Sequence, residues 1–184
     1  MFVWYLASET ELLLDLDDAA RSTKSGGPWI EVFFRRRLRD AIVDGKLDVQ
    51  AVFLVRSTSK HHFQAFVRLA KALPVVERLV WQLHLGSDLY RGRADLMRAA
   101  RGIKAPSLLI LPKAIPGFWR EPDRICSCTR KHKTEEMPDC PVWRELRGMS
   151  PWELFGKSEK KAERGVPLPL GQVPLELILK KLKH

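Results

Sequence analysis

The 184 residues of this chain predict an α+β fold, one sheet covered by two or three helices. Three observations lead there. Short apolar runs of strand length alternate with longer segments whose apolar residues recur at helical spacing. Two strand-like runs are joined by a short polar turn, as in a hairpin. Gly and Pro punctuate the ends of the segments. Composition agrees, since 45% hydrophobic and 29% charged residues exclude a largely disordered chain.

In chain order, the opening Met1-Phe2-Val3-Trp4-Tyr5-Leu6 lacks a basic leader and soon meets Glu9, Glu11 and Asp15, so no signal peptide is expected. Leu12-Leu13-Leu14-Asp15-Leu16 reads as a buried strand, and Arg21 to Pro28 as a loop. From Trp29 the period changes. Ile30, Phe33, Phe34, Leu38, Ala41 and Ile42 predict a helix that ends at Gly45. Val49 to Val55 and Phe63 to Leu69 read as strands around the turn Arg56-Ser57-Thr58-Ser59-Lys60. Pro74 opens a second helix with Val76, Leu79, Val80 and Leu83 expected inward, and Gly86 stands at its stop. A third helix is expected to turn Leu96, Met97 and Ala100 inward. Ser107 to Leu111 forms a last strand ended by Pro112.

Beyond Pro112 the texture changes. Residues 1–113 are expected as the core unit, 114–149 as an irregular knuckle holding all three Cys, and 150–184 as a linker with a short amphipathic helix. In that helix Leu175, Ile178, Leu179 and Leu182 would face inward. No apolar run approaches the roughly 20 residues that span a bilayer, so no membrane association is expected. Three Cys do not make a disulfide scaffold, and a cytoplasmic, reducing location is expected. The net charge of +10 points towards a polyanionic partner, although a solvated basic surface gives the same number.

Chemistry concentrates in a few places. Asp15 and Asp17 stand two apart on a predicted strand, on one face and about 6.6 Å apart along it. Two such carboxylates suit one or two hard cations, Mg²⁺ or Mn²⁺, together with phosphate oxygens; an acidic turn at a strand end would give the same residues. Ser57-Thr58-Ser59-Lys60-His61-His62 precedes a strand. Its hydroxyls, amides and imidazoles can hold phosphates, or be a solvated turn.

These segments resemble the archaeo-eukaryotic primase superfamily. Leu14-Asp15-Leu16-Asp17 matches its hydrophobic-Asp-hydrophobic-Asp motif, and Ser59-Lys60-His61-His62-Phe63 its Ser-x-His turn, with His62 aligned to the family's His. Gly86-Ser87-Asp88 followed by Asp95-Leu96-Met97-Arg98-Ala99-Ala100-Arg101 is similar to its third region, with Asp88 as the third carboxylate. The likeness spans residues 10–113; Leu109 departs from the family's Ser-Leu-His element. It implies an RRM-like antiparallel sheet. It also implies nucleotidyl transfer onto a primer 3′-hydroxyl on a DNA template, with Asp15, Asp17 and Asp88 holding two metal ions. Ser59, Lys60, His62, Arg98 and Arg101 would hold the nucleoside triphosphate.

Basic residues form two clusters. Arg35, Arg36, Arg37 and Arg39 lie on one predicted helix; Arg91, Arg93, Arg98, Arg101 and Lys104 lie beside the carboxylates. Both suit nucleic-acid phosphates, and both suit a solvated helix face. Cys126, Cys128, His132 and Cys140 offer a four-ligand structural zinc site, with free thiols as the other reading.

Two functions follow. The first is a primase- or polymerase-type enzyme that takes DNA and nucleoside triphosphates, with a helicase or other replication protein as a further partner. The second is a catalytically inactive relative that binds single-stranded nucleic acid as a replication accessory. A nickase built on His61, His62 and Tyr90 fits less well, because adjacent residues of a strand point to opposite faces.

Overall fold

The structure, a computed structural model, describes residues 2–17, 29–56, 62–112, 125–126 and 168–180. The elements are β1 (Phe2–Leu6), β2 (Glu11–Asp17), α1 (Trp29–Val43), β3 (Val49–Arg56), β4 (His62–Leu69), α2 (Val75–His84), α3 (Leu89–Ala100), β5 (Leu108–Pro112), β6 (Ile125–Cys126), β7 (Leu168–Val173) and α4 (Leu175–Leu179). The fold is α+β, and every strand pairing is antiparallel. Instead of one sheet there are two, ordered β5-β1-β6 and β2-β4-β3-β7. The difference arises at the first residues, whose strand the apolar pattern did not announce. β1 pairs with β5 along its whole length and draws that strand into the smaller sheet.

In the larger sheet β2 and β3 both run antiparallel to β4, which lies between them, so they run in the same direction and α1 makes the crossover. Leu12, Leu14 and Leu16 of β2 alternate onto one face. There they pack with Val52 and Leu54 of β3, Phe63 and Ala65 of β4, and Phe34 and Leu38 of α1. Gly45, at φ +68°, ends α1 as expected. The opposite face is closed as well, since Leu13, Phe53, Val55 and Phe66 are all buried. Burial on both faces explains why β2 reads as an unbroken apolar run rather than an alternating one.

The smaller sheet is tied to β2 by a buried carboxylate. Glu11 accepts from the Tyr5 hydroxyl at 2.8 and 2.7 Å (Oε1 and Oε2) and from Ser8 N at 2.9 Å. The Tyr5 ring stands edge-on to Phe66 with centroids 6.5 Å apart.

The C-terminal segment departs from the linker reading. Leu168–Val173 is a strand, paired with β3 at the edge of the larger sheet. Pro169 is tolerated there because an edge strand need not donate every N–H, and a register shift between Leu54 and Val55 absorbs the irregularity. The helix that follows buries Ile178 in the core and leaves Leu179 exposed. Of the knuckle, only the backbone of Ile125–Cys126 is described, paired with Tyr5 and Trp4. Cys128, His132 and Cys140 lie outside the described residues, as do Ser57 to His61. Among the described residues, no helix is long and apolar enough to cross a membrane.

Two helices are rotated from the expected orientation. On α2 the buried residues are Arg78, Leu79 and Gln82, while Val76 and Val80 are exposed. On α3 they are Gly92, Ala94, Asp95 and Arg98, while Leu96 is exposed. The polar side chains win because each meets a buried partner. Arg78 donates to Ser8 O at 3.0 Å and to Lys104 O, and Gln82 donates to Leu13 O at 2.9 Å.

The Tyr5–Glu11 bond gives a direct test. Tyr5→Phe removes the hydroxyl donor and leaves a buried carboxylate short of a partner. Chemical denaturation should show a loss of about 1.5–3 kcal/mol, the range for hydrogen bonds to charged groups; a loss under about 0.5 kcal/mol would contradict this role.

Candidate active site

β2 is the outermost strand of its sheet, so alternate N–H and C=O groups point away from β4. The junction between α2 and α3 meets them. Gln82 Nε2 donates to Leu13 O, Asp15 N donates to Ser87 Oγ at 3.3 Å, and Asp88 N donates to Asp15 O at 2.8 Å. The turn that makes this possible passes through Gly86 at φ +104°, a conformation L side chains rarely adopt. An added Cβ there would also stand 3.2 Å from the Phe33 ring of α1. Closer still, a Cβ on Gly92 would fall 2.5 Å from Leu83 Cδ2, so a larger residue there would make the Leu83 side chain shift where α3 packs on α2.

The junction carries Asp88 to the side of Asp15. Asp88 is the N-cap of α3, where its Oδ2 accepts from Arg91 N at 3.3 Å. One turn on, Arg91 Nη2 reaches Asp15 Oδ2 at 3.3 Å, with both side chains close to nine-tenths buried. Arg91 therefore bridges the two carboxylate-bearing segments, its backbone on one and its guanidinium on the other.

The sheet register completes the arrangement. Asp17 stands directly opposite His62, and Asp15 directly opposite Gln64, in the β2–β4 ladder. Three sequence-predicted segments, Asp15 with Asp17, His62, and Asp88, thus meet at one end of β2. The side chains of Asp17 and His62 lie outside the described residues, as do Ser59 and Lys60. Among the described residues, no group of three or more His, Cys, Asp or Glu side chains is placed to hold a metal ion. Gln64, only 8% exposed, has a side-chain oxygen with no hydrogen-bond partner.

Arg98 does not join the site. It is fully buried and forms an ion pair with Asp95, while its Nε donates to Pro106 O. Asp95 Oδ2 also lies 3.1 Å from Gln82 Nε2 and 2.8 Å from Ser107 Oγ. Ser107 Oγ in turn stands 2.9 Å from Gln82 Oε1. A guanidinium consumed in such a network is no phosphate ligand: Arg98 positions α3 against α2 and β5. Burial pushes the Asp95 carboxyl above its ordinary range, against the pull of Arg98, and the same burial lowers Arg98. Arg101, the C-cap of α3, is exposed, while Arg98 is buried.

The remaining cations divide by location. Arg93 and Lys104 are exposed, on α3 and just beyond it. On α1, Arg35 pairs with Glu31 and Arg39 with Asp40, each at 2.6 Å, while Arg36 is exposed. α1 covers the face of β2 that carries Leu14 and Leu16, so its cluster lies across the sheet from Asp15. Gln64, Gln82 and Ser87 were missed by sequence reading. Gln64 and Gln82 were signalled only as polar residues inside an otherwise apolar strand or helix face, and Ser87 only by its place in the turn between α2 and α3.

Comparison with known proteins returns no matching family model, no similar curated protein and no similar solved structure.

The buried pair predicts a contrast between variants. Asp95→Leu or Arg98→Met alone strands one charge and should cost about 3–5 kcal/mol. The double variant should recover part of that loss in urea unfolding and stay below wild type, because Gln82, Ser107 and Pro106 O lose buried partners. In Arg98→Met the abandoned carboxyl titrates at a raised pKa in the folded state. The fold then holds a proton that the unfolded chain has released, so stability should fall as pH rises above the ordinary carboxylate range, about 4. A flat pH profile for that variant would refute the assignment.

Proposed function

We propose that the chain is a primase- or polymerase-type nucleotidyltransferase that adds nucleotides to a primer 3′-hydroxyl on a DNA template. One observation carries the reading. Three segments picked out in the sequence, far apart in the chain, converge at one end of β2. The Asp17–His62 register and the bond from Asp88 N to Asp15 O bring them there. The order β2-α1-β3-β4, with β4 central, supports an RRM-like sheet, a fold that presents such a cluster on strand ends.

The donor set suits Mg²⁺ or Mn²⁺, since carboxylates are the ligands these hard cations prefer. Beside Asp15, the partnerless Gln64 oxygen adds one more acceptor. Asp15, Asp17 and Asp88 would hold the ions, which supply activation of the attacking hydroxyl and charge neutralisation at the leaving pyrophosphate. Arg91, already beside Asp15, would orient the triphosphate through its guanidinium. Lys60 and His62 would hold the outer phosphates. Arg93, Arg101 and Lys104 lie exposed on or just after α3, where template backbone contacts would be salt-dependent. Structural zinc at Cys126, Cys128, His132 and Cys140 would order the knuckle that β6 ties to β1. A replication helicase fits as a partner, and the cytoplasm as the location.

A second reading has its own support. The Asp15 carboxylate is paired with Arg91, and that of Asp88 caps a helix, so both are satisfied with no ion present. A catalytically inactive relative that holds single-stranded nucleic acid as a replication accessory would keep this arrangement.

Primer extension separates the two. With Mn²⁺, primed template and nucleotides, the wild-type chain should extend the primer. Asp15→Asn and Asp17→Asn should each lower the rate by about 100-fold or more, as expected when several kcal/mol of transition-state stabilisation are lost. Tight single-strand binding with no product, or product indifferent to both substitutions, would favour the accessory protein.

A further inference from the structure

Gln64 is the polar group in this region that the proposed mechanism leaves least explained. It sits in the middle strand of β2-β4-β3, only 8% exposed, and its Oε1 has no hydrogen-bond partner among the described residues. A buried acceptor in that state costs the fold free energy, so its presence calls for a reason.

The register names its neighbours. Across the ladder on one side Gln64 faces Asp15, and on the other it faces the fully buried Val55. The backbone N–H and C=O of Asp15 are both turned outward, to Ser87 and Asp88. Asp15 and Gln64 therefore form a non-hydrogen-bonded antiparallel pair, the kind in which side chains stand closest, with Cβ atoms about 4.5–5.5 Å apart. Val55 offers nothing to an acceptor. Asp15 offers another acceptor, already held by the Arg91 guanidinium, so Gln64 Oε1 still lacks a donor of its own.

We propose that Gln64 Oε1 accepts a hydrogen bond from a water molecule carried by a divalent cation at Asp15, and so sets how tightly that cation is held. This rests on the metal-binding reading of Asp15 given above. Small hard cations keep several of their waters when carboxylates bind them, and those waters are strong donors. A carbonyl oxygen one strand over, on a backbone fixed from both sides, is placed to receive one. Its role is that of an outer-shell positioning residue.

The test uses the full chain and Mn²⁺ alone, without nucleotide, followed by electron paramagnetic resonance or calorimetry, with thermal melts alongside. Wild type should bind Mn²⁺, and Asp15→Asn should abolish binding. Gln64→Leu and Gln64→Met, which keep the volume and remove the acceptor, should weaken Mn²⁺ by about 10–100-fold. Without metal, both variants should melt at or above the wild-type temperature, by up to about 2–4 °C, because the stranded acceptor is gone. If both bind Mn²⁺ like wild type, or both melt well below it, Gln64 is a structural residue and the proposal is overturned while the Asp15 site stands. If wild type itself binds no Mn²⁺, or binding survives in Asp15→Asn, the metal-binding reading fails and takes this proposal with it.

Discussion

The outer edge of β2 is the constraint on which the rest of the molecule depends. An edge strand carries a row of backbone donors and acceptors, and burying such a row unsatisfied costs about 1–3 kcal/mol for each group. Here the row is buried against α2 and α3 rather than paired with another strand. A side-chain amide, a hydroxyl and a main-chain N–H meet it, from Gln82, Ser87 and Asp88. These three residues lie within seven positions of one another at a helix–helix junction. The junction therefore cannot slide along β2 without breaking several bonds together. The position of Asp88 beside Asp15 is a consequence of closing the edge.

The same constraint decides which faces of α2 and α3 turn inward. Gln82 must point at Leu13, and this rotates α2 so that Arg78 also enters and Val76 and Val80 leave. A buried glutamine amide needs partners beyond one carbonyl, and Asp95 and Ser107 supply them. Asp95 then needs a cation, and Arg98 lies one turn away on the same helix. Glycine at position 92 completes the set by letting α3 come close enough for these side chains to touch. The buried network reads as a chain of necessities that starts at one backbone carbonyl. This explains why a motif-like Asp-x-x-Arg stretch became scaffolding instead of a phosphate clamp.

Legibility in the sequence followed the same division. Where burial is apolar, the pattern was readable: the run around Leu12 to Leu16, the helical spacing from Ile30 to Ala41, and the strands flanking the Ser-rich turn all form the expected elements. Where burial is polar, it was not. Hydrophobic spacing placed Val80 and Leu96 inward because no count of apolar residues registers a glutamine that must reach a carbonyl. β1 and β7 were missed for other reasons. β1 is a short strand whose pairing with β5 is non-local, and β7 carries prolines that only an edge position accommodates. At the site, Asp15, Asp88 and a basic cluster that includes Arg91 were legible as residues, while the pairing of Arg91 with Asp15 and the place of Gln64 opposite were not. Both depend on register, and register is a property of the assembled sheet.

Register also bears on what the buried polar groups around Asp15 cost. Asp15 is provided for, since Arg91 lies against it, and Asp88 is provided for by its own helix. Gln64 Oε1 is not, and β2 and β3 hold its backbone from both sides. Oriented polar groups on rigid strands bind well because little reorganisation remains to be done when the ligand arrives. A buried acceptor without a donor costs the fold stability, and a ligand that brought a donor would offset that cost. Removing the oxygen would therefore be expected to move stability and affinity in opposite directions, which no purely structural role for a buried glutamine would produce.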